Sequence, residues 1–314
     1  MTESRSEVAA VPSTSLQEQL VRFARRASIE ITPDDAALLP QLAALLPAGT
    51  TVYVAHTPKL GLDDVVRFAI RVQQAGFRAS AHIVARALES EVRLRDALTR
   101  LGEAGCDRIL LVAGDYATPV GPFSSTIDVL ESGATVSAGM TTVAVAGHPE
   151  GNPAIPDAAL WSALEAKQAF AARTGTDVYV LTQFGFKPDA VIDWCSDLRQ
   201  RGITLPVHAG LAGPTPLSKL IRYAMRCGIG ASLRVLTAKS GGLMNLANMA
   251  KVTATPDEML VGLVRGMRAL PAGALAQPHF FSFGGCVETA RWMVAVGEGA
   301  IAVNADESGF AVQA

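Results

Sequence analysis

The stretch RILLVAGDYATPVG, Arg108 to Gly121, decides the fold. An apolar run, Ile109 to Val112, stops at Gly114-Asp115, and a loop with Pro119 and Gly121 follows. Parallel α/β barrels build their sites from loops at the C-terminal ends of strands, and a strand that delivers a carboxylate into a Gly/Pro loop fits that plan. Asp is also an ordinary turn residue, so on this stretch alone Asp115 reads equally well as a loop cap.

The same unit recurs on both sides. Strand-like runs are expected at Ser28–Thr32, Thr51–Ala55, Arg78–Val84, Thr142–Ala146, Val178–Gln183, Leu205–Ala209 and His279–Phe283. Between them the apolar spacing turns helical. Leu62, Val65, Val66, Ala69 and Val72 make one face of a helix over Leu62–Ala75, and Leu94, Ala97, Leu98 and Leu101 one face of a helix over Leu88–Ala104. Further helices are expected over Ser15–Arg26, from Asp34 to about Leu46 and over Asp157–Arg173. Gly76, Gly105, Gly175 and Gly202 each follow a helical pattern and precede a strand, the place where a left-handed residue closes a helix. Right-handed βαβ crossovers then give a parallel sheet, and eight such units argue for a closed (β/α)8 barrel, with a doubly wound open sheet as the alternative. Arg226–Leu270 is longer than one unit needs, so extra helices are expected there. Residues 1–14 read as a disordered tail and 15–314 as a single barrel domain, with no linker between.

Composition narrows the class. The chain has 314 residues, 49% of them apolar, a length that suits one large barrel. A net charge of -2 implies no basic face and excludes nucleic acid as an expected partner. The first residues lack the apolar core of a signal peptide, and no run approaches the roughly 20 apolar residues of a membrane span, so no membrane partner is expected. Cys106, Cys195, Cys227 and Cys286 lie far apart with no C-x-x-C pair, which points to a reducing cytoplasm.

The polar residues gather at strand ends. All five histidines, His56, His82, His148, His208 and His279, lie in or just after an expected strand, four near its C-terminal end and His279 nearer the start. Glu30 stands inside an apolar strand, where burial would raise its pKa and suit it to general-acid work. Asp115, Glu150 and Gln183 also sit at strand ends. No two histidines share a local ligand spacing, so no metal centre is expected. Neither a P-loop, an H-E-x-x-H, a G-x-S-x-G nor a G-x-G-x-x-G after a strand is present; Gly228-Ile229-Gly230 follows a helix, and Lys239-Ser240-Gly241-Gly242 reads as a plain loop.

These residues, taken together, resemble the methylenetetrahydrofolate reductase family of flavin-dependent (β/α)8 barrels. Ser28-Ile29-Glu30-Ile31-Thr32-Pro33 resembles the family's S-F-E-F-F-P-P, Ala81-His82 its P-H, and Ala113-Gly114-Asp115 its R-G-D. His148-Pro149-Glu150 resembles Y-P-E, Leu181-Thr182-Gln183-Phe184 resembles I-T-Q-F, and His279-Phe280-Phe281-Ser282 resembles H-F-Y-T, in matching order from about Ser28 to Trp292. The resemblance implies FAD over the barrel mouth, NADH or NADPH as co-substrate, and reduction of methylenetetrahydrofolate to methyltetrahydrofolate, a step that feeds methionine biosynthesis. It implies Glu30 as general acid and Asp115 beside flavin and pterin. It also implies Gln183 and Tyr223 on the substrate, and His82, Ala113, Gly114, Asp115, His148 and Lys167 around the cofactor. The pattern departs at Ala55 for a Thr, Ala113 for the Arg, Ala163 for an Asn, His148 for a Tyr and Gly284-Gly285 for Asn-Arg. Those losses weaken the expected hold on flavin. Three readings follow: the reductase, the same barrel running methyltetrahydrofolate oxidation in a demethylation pathway, and a folate-binding barrel without flavin or catalysis. The resemblance further implies a short member without the regulatory domain of longer eukaryotic ones. It leaves open a homo-oligomer and the choice of nicotinamide.

Overall fold

The computed structural model describes residues 14–57, 59–226 and 252–313. Eight parallel strands close into a barrel in the order β1-β10-β7-β6-β5-β4-β3-β2. These are β1 (Ser28–Ile31), β2 (Thr51–Val54), β3 (Arg78–Val84), β4 (Arg108–Val112), β5 (Thr142–Gly147), β6 (Asp177–Phe184), β7 (Val207–Ala212) and β10 (Leu275–Phe281). Two small ribbons lie outside it: β8 (Thr215–Pro216) with β9 (Thr253–Ala254), and β11 (Ile301–Val303) with β12 (Phe310–Val312). The (β/α)8 expectation therefore holds, and the open-sheet alternative falls because β1 pairs with both β2 and β10.

Alternation along each strand divides the interior in two. Ile29, Ile31, Val52, Val54, Ile83, Ile109, Leu111, Val143, Val145 and Val180 face the helices and belong to one large buried cluster. Tyr53, Leu110, Ala144, Tyr179 and Leu181 face the barrel axis and form a separate small cluster. Burying both faces is why these strands read as near-continuous apolar runs. Each fully buried Val, Leu or Ile contributes about 1.5–3 kcal/mol, so the outer cluster carries most of the stability.

The covering helices follow local signals. In chain order they are α1 (Leu16–Ala24), α2 (Leu39–Leu45), α3 (Leu62–Gln74), α4 (Glu91–Glu103), α5 (Thr126–Glu131), α6 (Ala134–Ser137), α7 (Asp157–Thr174), α8 (Pro188–Gln200), α9 (Leu217–Arg226), α10 (Asp257–Gly266) and α11 (Cys286–Glu298). Ser15 caps α1 and Glu18 reaches back to its backbone N–H, a reciprocal box that fixes the start of the first helix. The four glycines expected to close helices all have positive φ, between 73° and 90°.

Several expectations are corrected. The helix expected from Asp34 opens as a 3-10 turn, Pro33–Leu38, and the one expected from Leu88 starts at Glu91 because the Ser90 side chain caps it. Strand β7 starts only after Pro206, and β10 starts four residues before His279, running through Pro278 as Pro278 pairs with Ala209. His208 therefore sits near the start of its strand and His279 in the C-terminal half of its own, the reverse of the sequence reading. Of the extra helices expected over Arg226–Leu270, α10 and a 3-10 turn at Met267–Ala269 are present among the described residues. Gly228-Ile229-Gly230 and the Lys239–Gly242 loop lie outside the described residues, as does the expected tail apart from Thr14. Among those described, no helix is long and apolar enough to cross a membrane.

Candidate active site

Strand β1 lifts Glu30 toward the C-terminal mouth, and two neighbouring strands supply its surroundings. Glu30 pairs in register with Tyr53 on β2, and Tyr53 with Ser80 on β3. His82, two residues further along β3, reaches across β2 until its Nε2 lies 3.3 Å from a Glu30 oxygen. About a fifth of the Glu30 side chain is exposed (19%), so the acid keeps one edge toward the mouth. Burial raises its pKa from 4.5 to about 8, so it holds its proton at neutral pH. Burial, with His56 adding repulsion, pushes His82 down to about 3. The contact is therefore between a neutral acid and a neutral imidazole, not an ion pair. It is a close approach rather than a formed hydrogen bond, since Nε2 is buried with no bond made.

Beneath this pair the lumen carries polar side chains among its apolar ones. Tyr53 and Tyr179 are joined hydroxyl to hydroxyl, His279 Nδ1 lies 2.9 Å from Ser28 Oγ, and His208 stacks on Tyr179 at 3.9 Å. Tyr53 packs edge-on against His279 at 4.6 Å. Among the described residues Ser80 Oγ, His208 Nδ1 and His279 Nε2 find no hydrogen-bond partner. Burial keeps His279 and His208 uncharged by lowering their pKa values.

Asp115 lies exposed just past β4, so the two carboxylates have opposite surroundings. Its loop is clamped by a residue that sequence reasoning passed over. Arg86 donates to the carbonyls of Tyr116, Ser124 and Ala117 at 2.7, 2.9 and 2.8 Å. The only sequence signal was one cation between Ala85 and Ala87 just after a strand. Gly121 closes the same loop: a Cβ there would sit 2.4 Å from the carbonyl oxygens of Leu88 and Glu89. Gly114 has φ +89°, and a Cβ would meet Val84 at 2.3 Å.

The other expected residues fall on β6, α7 and α9 and on the segments just past β2, β4 and β5. Gln183 is half-buried near the end of β6. Tyr223 on α9 packs on Phe283 at 4.5 Å, and Phe283 packs on Phe184 at 4.9 Å. His148, just past β5, has its pKa lowered by burial and then by Lys167. Lys167 on α7 is itself buried, and desolvation lowers its pKa to about 8. Among the described residues no acid offsets that cost, so the amine suits an anionic ligand such as a phosphate. Ala113 offers only its backbone, and its carbonyl accepts from the Arg86 N–H. Ala55 is buried just past β2. A cavity of about 520 Å³ flanks this mouth, lined by His56, Lys59, Val84, Leu88 and Tyr116, and contains neither carboxylate. Among the described residues no group of three His, Cys, Asp or Glu side chains could hold a metal.

Fold and site together define a closed parallel α/β barrel with a proton-holding acid at its C-terminal mouth. Comparison with known proteins sharpens this. A family model described as methylenetetrahydrofolate reductase matches residues 63–232, and the chain belongs to that family. "Methylenetetrahydrofolate reductase 2" of Saccharomyces cerevisiae (strain ATCC 204508 / S288c) is 31% identical over 137 residues, which cover 41% of this chain and 22% of that protein. The matched region thus spans about a fifth of that relative's length. Among solved structures, triosephosphate isomerase from Bartonella henselae superposes with a TM-score of 0.46 at 7% identity, covering 87% of this chain and 99% of that one.

Proposed function

We propose that the chain is an oxidoreductase of one-carbon metabolism, reducing 5,10-methylenetetrahydrofolate to 5-methyltetrahydrofolate with NADH or NADPH and with FAD at the barrel mouth. The observation that carries this reading is Glu30, an acid still protonated at neutral pH with one edge open to the mouth. Opening a methylene bridge between two nitrogens requires a proton on one of them, and such a carboxyl can give it. Family membership supports a folate as the substrate. Gln183, half-buried near the end of β6, would hydrogen-bond the pterin. Tyr223, braced by Phe283, offers an aromatic face to it. Exposed Asp115 lies where charge can be tuned at the open end of the site.

When bound, FAD supplies the hydride chemistry. Lys167 would neutralise its phosphates with His148 alongside, and the backbone at Ala113-Gly114-Asp115 would border it. His82 would meet it only at the ring's exposed margin, since 11% of that side chain is accessible.

Purified protein should be yellow, with absorbance near ~450 nm, and should oxidise NADH or NADPH when methylenetetrahydrofolate is added. A second reading, a folate-binding barrel without flavin or catalysis, is favoured by one observation. Ala55 and Ala113 bring no polar side chain to the cofactor's expected place. A colourless protein that takes up no FAD and oxidises neither nicotinamide would establish it against the first. Oxidation of methyltetrahydrofolate in preference to reduction would place the enzyme in a demethylation pathway.

A further inference from the structure

We propose that His82 is a positioning residue for Glu30, presenting an Nε2–H that hydrogen-bonds the carboxylate left behind when the acid gives up its proton. This rests on Glu30 being the proton donor. In that step the Glu30 O–H bond breaks, an N–H bond forms on a substrate nitrogen, and the electron pair stays on the carboxylate. No oxidant or reductant enters.

Geometry is the first support. Nε2 is buried and makes no hydrogen bond in the resting protein, yet it faces a Glu30 oxygen at 3.3 Å. An N–H is poorly satisfied by a neutral carboxyl at that distance, but a carboxylate draws it into a shorter, charge-assisted bond roughly twice as strong. The gain therefore arises only as charge develops, the condition under which an interaction accelerates a reaction.

The surroundings are the second support. His82 and Glu30 meet across β2, above the ring of Tyr53, which sits edge-on to His82 at 6.3 Å. Ala55, two residues past Tyr53 and so on the same face by alternation, is too small to stand between them. The titratable groups around the pair are His82 from β3, Tyr53 from β2, His56 just past β2 and His279 from β10. Burial lowers the pKa of all three imidazoles, so among the described residues these neighbours offer the new carboxylate no cation. An uncharged donor is what these neighbours supply, and the His82 Nε2 faces Glu30 at 3.3 Å.

The test combines spectroscopy with kinetics on the full chain. In protein labelled with 15N-histidine and 13C-glutamate, His82 should carry its proton on Nε2 from pH 6 to 10. Its resonance should shift with the Glu30 carboxyl titration. His82→Leu should move the Glu30 midpoint upward by about one pH unit and slow methylenetetrahydrofolate turnover about 10–100-fold. His82→Gln, which retains a donor, should recover much of both. A bare Nε2 toward Glu30, or a Glu30 midpoint unchanged in His82→Leu, overturns the proposal. If His82→Leu does not fold, the wild-type tautomer and its coupled titration decide. Coupled titration without folate turnover by the wild type would leave the positioning role standing and reject the reductase reading instead.

Discussion

Arg86 donates from Nε to the carbonyl oxygen of Tyr116 at 2.7 Å, tying the turn after β3 to the loop that carries Asp115. Its other nitrogens reach Ser124 and Ala117, and its own carbonyl accepts from Val120 at 2.9 Å. One guanidinium thus holds the loop from three directions, a use for which its planar fork of donors is suited. Arg86→Ala should destabilise the protein by about 1–3 kcal/mol, tempered by solvent at this partly exposed site. Hydrogen exchange should rise in residues 114–121. Unchanged exchange there would show that the loop is held by other contacts.

Gly121 gives an independent test of the same loop. The Cβ of Gly121→Ala would meet two backbone oxygens at 2.4 Å, and backbone cannot move aside as a flexible side chain can. The expected cost is about 1–3 kcal/mol, read as a lower denaturant midpoint at unchanged slope.

Glu30 is expected to be costly to the fold and necessary to the reaction. Its folded pKa, about 8, lies above its ordinary 4.5, so the folded state binds the proton more tightly. The stability this confers is full below pH 4.5 and is lost as pH rises through 8. Glu30→Gln should therefore be more stable than wild type by a few kcal/mol above pH 8, with the advantage shrinking toward pH 4.5. Melting curves across that range check the sign.

Kinetics should separate two half-reactions at the same residue. Glu30→Gln should lower methylenetetrahydrofolate turnover by at least about 10²-fold, while nicotinamide oxidation by an artificial acceptor continues. In the wild type, folate turnover should fall as pH rises through about 8, because the acid form is the active one. Loss of both half-reactions in the variant would contradict the role given to Glu30.

Lys167→Met should trade affinity for stability. The lysine's folded pKa, about 8, is below its ordinary 10.5, so its charged form is disfavoured in the fold at pH 7. The stability lost to this is absent above pH 10.5 and grows as pH falls through 8. The variant should melt higher at pH 7 and bind FAD at least about tenfold more weakly by fluorescence titration. Unchanged FAD affinity would remove Lys167 from the phosphate site.

The sequence by itself determined eight alternating strand and helix units, because those signals are local, while closure into a barrel was decided by β1 pairing with both β2 and β10. Apolar alternation in the strands, helical spacing between them and the closing glycines each depend on residues a few positions apart. It also singled out Glu30, whose charge is conspicuous between Ile29 and Ile31. Only the tertiary structure decided what Glu30 touches. His82 is 52 positions away in the chain and reaches it through the register of β1, β2 and β3. Barrel closure likewise set His279 against Ser28 and joined Tyr53 to Tyr179. The order of His208 and His279 along the lumen was misread because Pro206 and Pro278 mark the strand starts differently: β7 begins after its proline, while β10 runs through. Local chemistry names the residues of this mouth; register and closure, which no short window contains, choose their partners.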